Sequence, residues 1–350
     1  MESIAIPDYI TIDGVDYPVV EIAENFMGAS SSYSSNAKNT FLHTVTIGNN
    51  VERIGNYAFE NCQVLTNLDL GTGVKYLGSS CFSSCPNIIS LVLPSSLIEL
   101  SYFYGAYKLY EIYNLTTMSN DEIRPYFNDD ASNPRIIIHN SLDVPSGIVY
   151  ENGFMFAVGE NDATLVSIQE DVSTIVLPNY IRGLAYRIGK YCFYNLSNLE
   201  NLYMPDTLLD FDEDIIVNCP NLKFNQYKNI NYLGSKQNPY LIAWKADDCE
   251  ITECEFATET QFLGYRLLTS VNNVQTLILH KNIKKIQSYA LTQIKPTIVN
   301  YIGTLDDWCN MNFTSNPLGY GHKYTLMLNG EAVGTDITLT TLKPYAFYGV

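Results

Sequence analysis

Apolar residues in this chain return at fixed offsets. Leu42, Leu65 and Ile88 stand 23 residues apart. Three residues on come Val45, Leu68 and Leu91, and five on come Ile47, Leu70 and Leu93. Offset 9 holds Val51, Val74 and Leu97, and offset 12 holds Ile54, Leu77 and Leu100. Offsets 16 and 17 hold Ala58-Phe59 and Cys81-Phe82, and offset 20 holds Cys62 and Cys85. The third unit loses the pattern at Tyr104-Gly105 and Lys108. The register returns from Leu199, Ile251 and Val274, and from Val172 with four extra residues before Ile188. Ile4, Ile6, Ile10, Ile22 and Phe26-Met27 fit a first unit with a longer insert. Leu339, Leu342, Ala346-Phe347 and Val350 fit the back half of a last one.

Offsets 3 and 5 lie two apart, so their side chains share one face of a short strand. Pro7, Pro94, Pro178 and Pro205 follow at offset 6. Proline has no amide hydrogen for a ladder, so the strand ends there. Offsets 9 and 12 carry the chain back across the core, through a second short extended stretch. Offsets 16, 17 and 20 suit a single helical or 3₁₀ turn. One such coil cannot bury its apolar side alone, but stacked coils build a continuous core. The spacing therefore predicts a solenoid of ~23-residue repeats. A parallel β-sheet forms one face, and short helical or 3₁₀ turns with irregular segments form the other.

Two stretches break the period, near 109–171 and 223–250. The first contains the turn-rich Asn128–Pro134 and an Asn152-Gly153 pair flanked by apolar and aromatic residues, a hairpin signal. Both read as insertions or irregular coils within a single array over 1–350, not as domains. A further Asn-Gly, Asn329-Gly330, predicts a hairpin shielding part of the C-terminal edge. Neither end shows a polar cap, which predicts a fragment of a longer protein or a terminal coil covered by other chain.

Ile54-Gly55-Asn56-Tyr57-Ala58-Phe59-Glu60-Asn61-Cys62, after Val45-Thr46-Ile47, resembles the BspA-type leucine-rich repeat. Tyr232–Ser235 with Asn238–Leu241, and Tyr301–Thr304 with Trp308, resemble longer versions of it. The resemblance implies a right-handed leucine-rich-repeat solenoid and a secreted or surface-exposed protein. Some members of the family adhere to host matrix proteins. No catalytic residues come with the family.

Composition narrows the partners. Apolar residues make up 46% of the chain, enough for a large core. Acidic residues outnumber basic ones 37 to 20, a net charge of −17. Nucleic acid and anionic membranes need basic patches, so neither is an expected partner. No apolar run reaches the ~18 residues of a membrane span, and the opening residues lack the pattern of a signal peptide.

Candidate chemistry is sparse. Cys62, Cys81, Cys85, Cys192, Cys219 and Cys254 fall on core offsets, where a thiol serves as a small hydrophobe; Cys249 and Cys309 lie outside the register. Disulfides between stacked coils are the competing reading. His43, His139, His280 and His322 are scattered, and no zinc, phosphate-loop or nucleophile motif is present. Asp210, Asp212 and Asp214 begin like a calcium loop, but Ile215 replaces the required glycine and Asn221 the closing acid. A solvated face fits them better. The sequons at Asn114, Asn195 and Asn312 read as chance occurrences. We therefore expect no catalytic residue, no metal and no cofactor.

Offsets 2 and 4 point away from the core, onto the default binding surface of a solenoid. Asn67 and Asp69, Asn201 and Tyr203, and Glu253 and Glu255 are the binding-face candidates. The expected function is a non-enzymatic, adhesin-like interaction protein that is secreted or at the cell surface and binds a protein or extracellular-matrix ligand. The 27 tyrosines motivate a glycan ligand as the alternative, since flat rings stack on sugars. A hydrolase site in the inserted segments is the remaining one.

Overall fold

A computed structural model describes residues 2–27, 39–127, 136–168, 171–247, 249–313, 318, 322–334, 343–344 and 346–347. The chain is a parallel β-solenoid built from short strands. It divides into two compact units: Met1–Gln169 with Arg187–Cys192, and Glu170–Tyr186 with Phe193–Val350.

In the first unit, strands Ser3–Ile6, Thr44–Ile47 and Asn67–Asp69 pair in parallel, with Ile4 beside Val45 and Val45 beside Leu68. Ser90–Leu93, Glu111–Asn114 and Ile137–His139 pair likewise, with Leu91, Ile112 and Ile138 in register. Pro94 closes a β-turn by accepting the Leu97 N–H at 3.0 Å. A second ladder follows at Glu21–Ile22, Arg53–Ile54 and Tyr76–Leu77. The turns at offsets 13 to 18 close by i to i+3 bonds, such as Glu60 N–H to Tyr57 O at 3.2 Å and Ser83 N–H to Ser80 O at 3.1 Å. They stop after one turn because Tyr57, Asn61, Ser80 and Ser84 take left-handed φ values of 54° to 61°. Each turn also bonds to the next coil, as in Phe59 N–H to Cys81 O at 2.8 Å.

The repeat predicts the core. Ile47, Leu70 and Leu93 in the first unit, and Leu177, Met204, Phe256 and Leu279 in the second, are at most 4% exposed. Phe59 and Phe82 stack with centroids 5.3 Å apart, and Phe82 and Phe103 at 5.7 Å. Phe103 corrects the reading of the third unit. That coil is two residues short, so Phe103 takes the buried place and Tyr104 is 53% exposed. Ile10, Phe26 and Val172 also depart from their core assignment. Phe26 and Val172 are exposed, and Ile10 lies on an exposed hairpin, Tyr9–Ile12 with Val15–Pro18, turned by Asp13-Gly14.

The second unit has the same ladders. Glu253–Glu255, Thr276–His280, Ile298–Ile302 and Thr325–Leu328 pair in parallel, and Thr174–Val176 pairs with Asn201–Tyr203. Phe262–Leu263, Lys285–Ile286 and Asn312–Phe313 form the second ladder. Helix Leu305–Asn310, capped by Thr304 and Asp307, buries Trp308 and Cys309. The hairpin expected at Asn329-Gly330 forms between Thr325–Leu328 and Glu331–Ala332. Ala346 is buried and accepts the Trp308 Nε1–H at 2.7 Å. Leu339, Leu342 and Val350 lie outside the described residues, as does 128–134.

The two breaks in the period contain the same device. Ile148–Glu151, Phe154–Val158 and Ala163–Ile168 form an antiparallel meander, turned by Asn152 and Gly153 at φ 51° and 82°. Asn225–Tyr227, Ile230–Leu233 and Ile242–Ala246 form another. The last strand of each pairs in parallel with a two-residue strand further along the chain, Ala163–Ile168 with Arg187–Ile188 and Ile242–Ala246 with Phe262–Leu263.

Candidate functional site

Strand periodicity sets the outward face. Inward residues of Thr44–Ile47, Asn67–Asp69 and Ser90–Leu93 are buried, while Thr46, Asn67, Asp69, Ser90 and Val92 are exposed. In the first unit this face is grooved. A hollow of about 280 Å³ lies over Thr44, Thr46, Asn67, Asp69 and Ser90. A larger one, about 540 Å³, crosses the strand ends and is lined by Asp8, Thr46, Asp69, Val92 and Leu142 among others. Thr46 and Asp69 line both. Gly71 permits the close stacking under the larger groove. It sits at φ 63°, and a Cβ there would meet Ile47 O at 2.5 Å.

The smaller hollow is mainly polar and the larger groove mainly apolar, and neither contains a basic or aromatic side chain among its lining residues. Asn67 Nδ2 lies 3.5 Å from Thr44 Oγ1. The Asp69 carboxylate accepts the Gly71 N–H at 2.9 Å, leaving its second oxygen for a ligand.

The other candidates occupy the second unit. Asn201 repeats the Asn67 arrangement, donating to Thr174 Oγ1 at 3.3 Å. Tyr203 carries the Lys236 ammonium 5.8 Å from its ring centroid. Glu255 pairs with Lys228, and Glu253 is exposed on the same strand. Asn67 and Asp69 thus share one groove, Asn201 and Tyr203 one strand, and Glu253 and Glu255 another.

Sequence reasoning missed a polar cluster on the outward face of Glu111–Asn114. Glu111 and Tyr113 stand beside Ser90 and Val92, which are outward positions. Yet Glu111 is 2% exposed. Its carboxylate accepts from His139 Nε2 at 3.0 Å, Ser146 Oγ–H at 2.8 Å and the Gly147 N–H at 2.7 Å. Tyr113 packs on the His139 ring at 4.9 Å. Allowing for the two-residue deletion before Leu109 would have placed both residues on this face.

The remaining candidates resolve simply. Asp210 pairs with Lys285 at 2.5 Å, and no group of three or more His, Cys, Asp or Glu that could hold a metal occurs among the described residues. Among the described residues Cys62, Cys81, Cys85, Cys192 and Cys309 are buried thiols, Cys254 is buried too, and Cys219 is half-buried. Burial pushes the Cys81 thiol up to about 12, so it is an inert core group. Asn114 is 3% exposed and bonds to Met118 O, which suits a structural amide. No described helix is long and apolar enough to cross a membrane.

The family model for the BspA type leucine rich repeat region matches residues 33–144, 168–238 and 243–318, with six copies. No curated protein matches the chain. Among solved structures, it resembles a leucine rich cell surface protein from Faecalibacterium prausnitzii, at 16% identity and TM-score 0.31, over 90% of this chain and 91% of that one. The pneumococcal vaccine antigen PcpA follows at 12% identity and TM-score 0.32, over 94% and 89%. A leucine-rich repeat protein from Eubacterium ventriosum gives 12% and 0.31, over 99% and 87%.

Proposed function

Because the chain belongs to the BspA-type leucine-rich repeat family, we propose that it is a non-enzymatic, adhesin-like interaction protein, secreted or at the cell surface. It binds a protein or extracellular-matrix ligand on the outward face of its strands. The observation that carries this reading is the groove pair meeting at Thr46 and Asp69. Parallel strands hold these polar side chains at a fixed ~4.8 Å spacing, so a ligand meets a preorganised row. The two lining carboxylates, Asp8 and Asp69, accept backbone N–H groups, of Asn50 and Gly71, rather than a neighbouring hydroxyl, which favours recognition over turnover.

The test is surface plasmon resonance of the whole chain against purified extracellular-matrix proteins. Thr46→Trp fills the groove and Asp69→Arg reverses its charge. Both face solvent, so stability should hold within about 0.5 kcal/mol while binding falls. Binding that survives both substitutions would move the ligand off this face. A hydrolase screen of the same protein should find no turnover.

A further inference from the structure

The second unit carries a groove of different chemistry, between two back turns of consecutive coils. Its lining is Arg266, Thr269, Tyr289, Thr292 and Gln293, and it holds about 500 Å³. Arg266 and Tyr289 occupy the same offset one period apart, as do Thr269 and Thr292.

Arg266 and Tyr289 both sit in left-handed backbone, at φ 53° and 59°. That conformation favours glycine, asparagine and aspartate, because a larger side chain crowds the following carbonyl. Four residues further on, the chain meets the same demand with Asn61, Asn195 and Asn218. At the earlier offset it keeps Tyr57, Tyr191, Arg266 and Tyr289, with Ser80 and Asp214 as the smaller members. Backbone preference does not explain the large side chains in this groove, and neither does core packing. Tyr289 is 57% exposed and Arg266 is exposed as well.

Their arrangement is specific. The Arg266 guanidinium lies 5.0 Å from the Tyr265 ring centroid, which orients it. Tyr265 and Tyr289 meet edge to face at 5.9 Å. Thr269 Oγ1–H donates to Arg266 O at 3.1 Å, so its lone pairs remain open to a donor. No carboxylate lines the groove.

We propose that this groove binds an acidic saccharide. The guanidinium takes the carboxylate of a uronic acid residue through two parallel hydrogen bonds. The exposed Tyr289 ring carries the apolar face of the sugar. Thr269, Thr292 and Gln293 meet its hydroxyls. A neutral sugar forgoes the ion pair, and an acidic peptide forgoes the ring and hydroxyl contacts. The net charge of −17 opposes long-range attraction, so capture acts at short range in screening salt. The site does not depend on the outward face.

The test is saturation-transfer NMR and calorimetry on the whole chain with a hyaluronan tetrasaccharide, maltotetraose and tetraglutamate. Arg266→Asn and Tyr289→Asn place a residue that suits the left-handed backbone, so both variants should melt at or above the parent temperature. The uronate should bind in preference to the other two probes, and each variant should weaken it at least tenfold. Asp69→Arg should leave it unchanged. Absence of uronate binding to the parent, retention by both variants, or equal or tighter binding of maltotetraose or tetraglutamate would overturn the proposal.

Discussion

The coils of residues 42–100 and the meanders of residues 148–168 and 225–246 reach a buried core by different means. In the coils, bonds run to the equivalent residue of a neighbouring unit. Lys75 pairs with Glu52 at 2.7 Å, Asn49 Oδ1 accepts the Thr72 N–H at 3.0 Å, and Asn56 Oδ1 accepts the Ser79 N–H at 2.8 Å. Each bond spans 23 residues. In the meanders, strands pair with their immediate neighbours, as Tyr150 does with Met155 and Gln226 with Asn231. The coil depends on its neighbours at every offset. The meander depends on its own turns.

The largest effects should fall on the column shared by stacked coils. Phe59 and Phe82 are fully buried, so Phe59→Ala or Phe82→Ala should cost about 3–5 kcal/mol in chemical denaturation. A loss below that of an exposed substitution would break the coil account.

Glycines separate the two regions next. A Cβ at Gly73, in a coil turn, would stand 1.9 Å from Asn49 O. Gly153, in the first meander, has φ 82° but nothing within 4 Å. Gly73→Ala must displace a neighbouring backbone, whereas Gly153→Ala meets only local strain of about 1–2 kcal/mol. Thermal melts should rank Gly73→Ala clearly below Gly153→Ala. The reverse order would show that coil contacts are looser than the structure has them.

A smaller effect depends on pH. His280, on a coil strand of the second unit, is 7% exposed and donates its Nε2–H to Ala257 O at 2.9 Å. Burial holds its pKa below the ordinary histidine value. The folded state therefore prefers the neutral ring, and the unfolded chain takes the proton first. The contribution is full above about pH 6.5 and is lost as pH falls below it. His280→Gln should flatten stability between pH 7 and 5 relative to the parent. Parallel curves would contradict this.

The smallest effect belongs to the outward positions. Asn67→Ala and Thr276→Ala should each change stability by no more than about 0.5 kcal/mol. A cost comparable to that of the phenylalanines would erase the inward and outward assignment.

Much of this was legible in the sequence, because one offset meets one environment in each regular coil. The buried set from Leu42 to Leu100 follows from spacing alone. Legibility ended where the count changed. The third coil is two residues short, and that hid Phe103 from the core and Glu111 from the outward face. Asn152-Gly153 announced one meander. The equivalent turn at Lys228-Asn229 has no glycine, and Lys228 adopts φ 50° unaided. Asp13-Gly14 is a hairpin signal of the same kind as Asn152-Gly153, and apolar spacing, which does not register it, put Ile10 in the core. For the candidate site, strand alternation located Asn67 and Asp69, but not the hollows beside them. Their depth depends on small residues such as Gly71, and periodicity carries no such information. The Arg266–Tyr289 groove was equally silent, since its meaning lies in backbone φ.

Twenty-three residues form one interchangeable structural unit of the solenoid. The most direct measurement compares two deletions by near-ultraviolet circular dichroism and thermal melting. Removing residues 65–87 puts Ile88 where Leu65 stood and keeps every offset. Removing residues 65–76 puts Leu77 there, which brings polar Ser80 to the buried place of Leu68. The first deletion should give a cooperative, native-like melt and the second a loss of tertiary signal. Equal behaviour of the two deletions would contradict it.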